Sequence, residues 1–149
     1  MEKLPIWIHF IFSLIGTAGF SVFLSVPKID VPVSGLAGAV GWTIYMALVK
    51  ADEGTVVATF IATLVIGTLG IIFSKILKKP SSVYIIPGII PLVPGYGMYT
   101  TMILALTDKF ELSVRKGLET ILVGLAIACG LVLTESVRRM LRKKKLMKK

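Results

Sequence analysis

Pro87, Pro91 and Pro94 fall within eight residues, and Gly88, Gly95 and Gly97 lie among and just beyond them. Each proline inside a helix removes one N–H and clashes with the carbonyl four residues back, at a cost of roughly 3 kcal/mol. The three would free the carbonyls of Val83, Pro87 and Ile90. After Pro94-Gly95 a new half-helix can begin, aiming the amides of Tyr96, Gly97 and Met98 into the gap. Freed carbonyls offer partial negative charge to an ammonium, and the amides of a helix N-terminus attract an anion. Hydroxyls stand beside both, on Tyr96, Tyr99, Thr100 and Thr101. The candidate substrate-binding set is therefore Pro87, Gly88, Pro91, Pro94, Gly95, Tyr96, Gly97, Tyr99, Thr100 and Thr101, and the chemistry it suits is capture of a zwitterion or a carboxylate. The plainer reading is a kinked packing helix that binds nothing.

Other reactive groups are sparse. Glu119 and Asp108 are the candidate proton relay, since ionisable groups within membrane segments often carry protons. Glu119 and Glu135, near the two ends of the last apolar stretch, read equally well as interfacial. The single histidine, His9, lies near the start of the first apolar stretch and reads as interfacial or packing. One cysteine, Cys129, permits neither a disulfide framework nor a metal cluster within the chain, so no metal or cofactor is expected. There is no phosphate-binding glycine loop and no nucleophile–base pair. The expectation is a protein that is not an enzyme.

The elements that must hold this set are apolar. Of the 149 residues 55% are hydrophobic and 17% charged, with mean hydropathy +0.87. Windows of about 20 residues nearly free of charge span the ~30 Å hydrocarbon layer as helices. The expected fold is an all-α polytopic membrane protein, a single integral membrane domain over 1–149. Its spans lie at about 6–25, 33–49, 55–74, 83–106 and 118–137, the fourth broken by the Pro/Gly motif, with a basic tail at 138–149. Links fall at 26–32, 50–54, 75–82 and 107–117. The first span is too long for a cleaved signal peptide and runs on into the second. Non-helical backbone at membrane depth is tolerated only where protein buries it or it lines a watery cavity, as in the discontinuous helices of secondary transporters.

Charge sets the orientation. The net charge is +9, and eight of the 17 Lys and Arg lie in 138–149. A basic cluster directly after an apolar span is a cytoplasmic anchor for anionic lipid, and with no aromatic-interleaved basic face nucleic acid is not an expected partner. With the N-terminus outside and the C-terminus in the cytoplasm, the inner links and tail hold twelve Lys and Arg (Lys28, Lys75, Lys78, Lys79 and the tail). The outer face then holds five: Lys3, Lys50, Lys109, Arg115 and Lys116. A re-entrant fourth segment gives a weaker bias, ten against seven. Small residues four apart (Ser34, Gly38; Ala37, Gly41) and the pair Gly67, Gly70 form stripes for close helix approach, either within the chain or to another subunit.

"GAVGWTIY" in the second span, "IGTLGIIFSK" in the third and "IPGIIPLVPGYGMYTTM" in the fourth resemble the small membrane subunit of the threonine/serine exporter family. The resemblance runs from about Phe20 to the end of the fifth span, and the Ile-Pro-x-x-Pro-x-x-Pro-Gly pattern, on Pro87, Pro91, Pro94 and Gly95, is its most specific part. It implies an exporter built of two membrane halves, fused or separate, of which this chain resembles the second alone. It also implies efflux of threonine or serine from the cell driven by the proton motive force, or export of dicarboxylates such as succinate in split members. The expected partner is a larger, complementary five-span subunit, because an odd number of spans inverts the second half relative to the first. A non-transporting membrane scaffold is the reading from another class.

Overall fold

The computed structural model describes residues 5–146, with side chains through residue 140, and every regular element among them is helical. Helix α1 runs over Ile6–Phe23, α2 over Val31–Lys50 and α3 over Thr55–Leu77. Helix α4 covers Ser82–Ile89, a 3-10 turn follows at Ile90–Leu92, α5 covers Gly95–Leu106 and α6 covers Phe110–Leu146. With α4, the turn and α5 taken as one segment, five helices are long and apolar enough to cross a membrane.

Local chemistry sets the boundaries. Pro32 sits in the first turn of α2, where its missing N–H costs no intrahelical bond. Pro94 occupies the N-cap of α5. Each of the four links between the spans holds one non-glycine residue in the left-handed region, Ser25, Asp52, Lys78 and Asp108, with φ of 58°, 64°, 54° and 58°. Such residues turn the chain just past a helix end and let its last carbonyls be capped.

Two expectations are revised. The break does not begin at Pro87, which lies inside α4, but is confined to Ile90–Pro94. The link read over 107–117 shrinks to a turn at 107–109, and the polar residues beyond it form the first turns of α6. Lys3 and the last three residues of the tail lie outside the described residues, as do the tail's side chains after Met140.

Helices α2 and α3 form the centre. Helix α1 packs on α2, α6 on α3, and α4 lies across both, while α5 leaves the bundle to pack on α6. The central cluster is Ala62, Ile66, Leu92 and Ile127, with Trp42, Tyr45, Ile89 and Leu131 against it. The small-residue stripes are used within the chain. A Cβ added at Gly38 would overlap Thr17 of α1, and one at Gly67 would meet Thr134 of α6 at 2.8 Å. The outer faces carry Phe12, Phe23, Leu106 and Leu125, the surface a hydrocarbon layer covers.

Candidate functional site

The three freed carbonyls all have donors. The Ser34 hydroxyl of α2 lies 3.1 Å from the carbonyl of Val83 and 3.0 Å from that of Asp30, so its one proton is shared between the two. The Ile90 amide donates to Pro87, and the Val93 amide to Ile90 at 3.1 Å. The expectation of unpaired carbonyls is thereby corrected: the 3-10 turn and one side chain from α2 satisfy them. At the start of α5 the Gly95 amide donates to Val93 at 2.8 Å and the Met98 amide to Pro94 at 3.0 Å. That leaves the amides of Tyr96 and Gly97 in a first turn that offers them no intrahelical carbonyl.

Beside these amides lies a cavity of about 450 Å³. Trp42 and Tyr45 of α2, Thr59 of α3, Pro91 to Pro94 of the break, Tyr96 and Gly97 of α5, and Lys116, Glu119 and Thr120 of α6 line it. Trp42 and Tyr45 stack with ring centroids 5.1 Å apart. Lys116 Nζ donates to Glu119 Oε2 at 2.8 Å, three residues on along α6, and both side chains are about one-third exposed. The Thr120 hydroxyl returns to the Lys116 carbonyl at 2.7 Å. Gly97 abuts Thr120 so closely that a Cβ there would meet its hydroxyl at 2.5 Å. One space thus holds an ammonium, a carboxylate, two first-turn amides and an aromatic wall.

The expected site residues divide. Pro91, Pro94, Tyr96, Gly97 and Glu119 line the cavity. Pro87 and Gly88 are buried against the bundle instead, Gly88 so close that a Cβ would meet Ile66 at 2.9 Å. Gly95 faces open space and Tyr99 is 60% exposed on the outer face of α5. Thr100 and Thr101 donate their hydroxyls to the carbonyls of Tyr96 and Gly97, each at 2.8 Å. Asp108 lies in the exposed turn before α6, away from the cavity. Sequence reasoning missed Trp42, Tyr45, Thr59, Lys116 and Thr120. The aromatic pair three apart in "GWTIY" and the Lys–Glu pair three apart on α6 were the available signals.

The other end of the bundle is closed by a polar cluster. Asp30, fully buried at the N-cap of α2, pairs with Lys79 and accepts the Tyr84 hydroxyl at 2.9 Å. The hydrogen bond from Lys79 outweighs burial and holds the Asp30 carboxyl below the usual carboxylate range. Arg138 Nη1 donates to Ser81 Oγ at 2.7 Å and to Glu135 at 3.1 Å. Near the opposite end of α6, Ser113 donates to the Thr101 carbonyl at 2.8 Å. The broken segment therefore runs the length of α6, from Ser81 beside Arg138 to Thr101 beside Ser113, and is not a hairpin that turns back.

A membrane-buried broken helix over a cavity with both charges is the architecture of a small-molecule transporter. The family model described as threonine/serine exporter, ThrE, matches residues 9–137. No solved structure matches the chain. The family match takes in the second, third and fourth spans, the break and the whole cavity, with most of the first and fifth spans, and the chain, a multi-pass membrane protein, belongs to the threonine/serine exporter family.

Proposed function

We propose that this chain is the small membrane subunit of a two-component secondary exporter for threonine and serine. The observation that carries this reading is the cavity in which Lys116, Glu119 and the first-turn amides of α5 meet. A zwitterionic amino acid needs a cation and amides for its carboxylate and an anion for its ammonium. Binding exchanges the Lys116–Glu119 pair for two pairs with the substrate, so the empty site is not left with uncompensated charge. Thr59 and Thr120, whose own protons go to the Thr55 and Lys116 carbonyls, can still accept from a side-chain hydroxyl. A dicarboxylate such as succinate would meet Glu119 with like charge, which favours the amino acid.

The complementary five-span half completes the site. Tyr96 and Tyr99 are 71% and 60% exposed on α5, which packs on α6 alone among the larger helix contacts. Their hydroxyls would face hydrocarbon without another chain, an expensive arrangement at membrane depth. The proton motive force drives efflux across the cell membrane, with the N-terminus outside. The cytoplasmic basic run 138–149 lies against anionic lipid. In that orientation the cavity mouth, at the end carrying Val49, Thr55 and Lys116, faces outward.

Counterflow in vesicles carrying this chain with its complementary half tests the site. Lys116→Met and Glu119→Gln should each raise the threonine KM about tenfold, the loss of one charge-assisted contact. Unchanged threonine KM values in both variants would refute the cavity. Glu119→Gln that weakens threonine but strengthens succinate would show that Glu119 selects the zwitterion. Threonine export restored by this chain alone would refute the need for a second half.

A further inference from the structure

Helix α1 buries four residues, and all four are polar: His9, Ser13, Thr17 and Ser21, each four positions after the last. They form one stripe facing α2 while Phe12, Ile15 and Phe23 face outward. Ser13 donates to the Gly38 carbonyl at 3.4 Å and Ser21 to the Thr17 carbonyl at 2.8 Å. Two buried atoms of the stripe, His9 Nε2 and Thr17 Oγ1, have no hydrogen-bond partner among the described residues. His9 is only 6% exposed, so its ring is packed inside the bundle and not on the outer face of α1. A phenylalanine or leucine would fill that place without the cost of an unpaired nitrogen.

His9 and Thr17 border a second space, an open groove of about 440 Å³ that is also lined by Phe12 and Phe20 of α1 and by Trp42, Ile90 and Pro91. Trp42 and Pro91 also line the cavity of Lys116 and Glu119, so one indole and one proline of the break separate the two spaces. Among the described residues, His9 is the only titratable one lining the second space. From α2, Tyr45 and Lys50 are the titratable groups on the same half of the bundle, and the 3-10 turn supplies none. Helix α4 carries only Tyr84, at the far end and bonded to Asp30. Glu119 is paired with Lys116. An ionisable side chain turned inward within a span marks a proton or ion path, and imidazole is the side chain that changes charge near neutral pH.

We propose that His9 is the proton-binding site of this exporter, taking a proton at its otherwise unpartnered Nε2 when the groove it borders opens to water and carrying it as imidazolium. The positive charge then lies beside the Ile90–Pro91 turn, whose carbonyls attract it, and a shift of Pro91 alters the wall it shares with the substrate cavity. Protonation and substrate binding are thereby linked through one partition. This rests on the reading of the chain as a proton-driven exporter.

The chain has one histidine, so ring-labelled histidine gives a single imidazole signal from the full chain in lipid nanodiscs. That signal should move between its neutral and protonated positions when the buffer is taken from alkaline to acidic, and a ring whose signal stays fixed overturns the proposal. In vesicles with the complementary half, His9→Gln should lower pH-gradient-driven threonine efflux at least thirtyfold. Threonine counterflow, which needs no net proton movement, should fall less than threefold, and efflux should lose its dependence on pH. Gradient-driven efflux at the wild-type rate in His9→Gln, or an equal loss of efflux and counterflow, also overturns it. If wild-type vesicles exchange neither threonine, serine nor succinate, the exporter reading fails, while the imidazole titration still decides whether His9 binds a proton.

Discussion

The two ends of the bundle handle polar groups in opposite ways. At one end Asp30, Lys79, Tyr84, Ser34, Ser81 and Arg138 tie α2, the start of α4 and α6 together, with each polar group supplied with a partner. At the other, Lys116, Glu119, Tyr45 and the first turn of α5 surround open space. The broken segment joins them: α4 is clamped at the closed end, and α5 is held at the open end through α6 alone among its larger contacts. Breaking the helix at Ile90–Pro94 separates a half tied to α2 and α3 from a half held through α6. A continuous helix would couple both ends rigidly.

The comparison can be broken most strongly at Asp30. Asp30→Ala leaves the Lys79 ammonium and the Tyr84 hydroxyl without their acceptor, and should cost about 3 kcal/mol. Thermal unfolding in detergent measures this, and an unchanged Tm would show that the closed end is not a clamp. Next in size, Pro91→Leu with Pro94→Leu restores two helical N–H groups and continues the helix through the break. Threonine efflux should fall at least tenfold while membrane insertion, read by fractionation, is kept.

Ser34→Ala should cost about 1 kcal/mol, because it withdraws the donor that satisfies the Val83 carbonyl opposite Pro87. Replacing Pro87 by leucine as well should recover part of that loss, since the restored amide supplies a donor; a double variant no more stable than Ser34→Ala would place the role of Ser34 elsewhere. The smallest effect is with pH. Lys79 holds the Asp30 carboxyl below its ordinary range, so folding favours the charged form. That stability is fully present above the unfolded carboxylate value of about 4 and is lost as pH falls through the lower folded one. The Tm should therefore hold from about pH 7 to 5 and drop below about 4, and Asp30→Asn should lack this component of the drop.

Much of the fold was legible because lipid imposes a simple rule: apolar stretches of helical length, closed by charge and proline. The existence of a break was also legible, since three prolines in eight residues cannot sit in one regular helix. Its position was not. Pro87 stays within α4, and a hydroxyl 49 residues away, shared with the Asp30 carbonyl, lies within reach of the carbonyl it frees; nothing local announces that contact. Thr100 and Thr101 looked available by type, yet a threonine on a helix can return its hydroxyl to the carbonyl four residues back, and both do. The polar stripe of α1 was written in the spacing of His9, Ser13, Thr17 and Ser21. Its meaning needed the observation that this face, and not the apolar one, is buried.

The sequence by itself determined that the chain is a set of apolar helices, with one of them interrupted by Pro91 and Pro94, because propensity and hydropathy act residue by residue. Only the tertiary structure decided which polar groups meet. Lys116 and Glu119 reach the break, and Trp42 stands between the two cavities, because α2 and α6 pack around α3 at places no local pattern specifies. Asp30 becomes a buried anchor for the same reason: its partners lie 49 and 54 residues away, and burial turns a loop charge into a clamp.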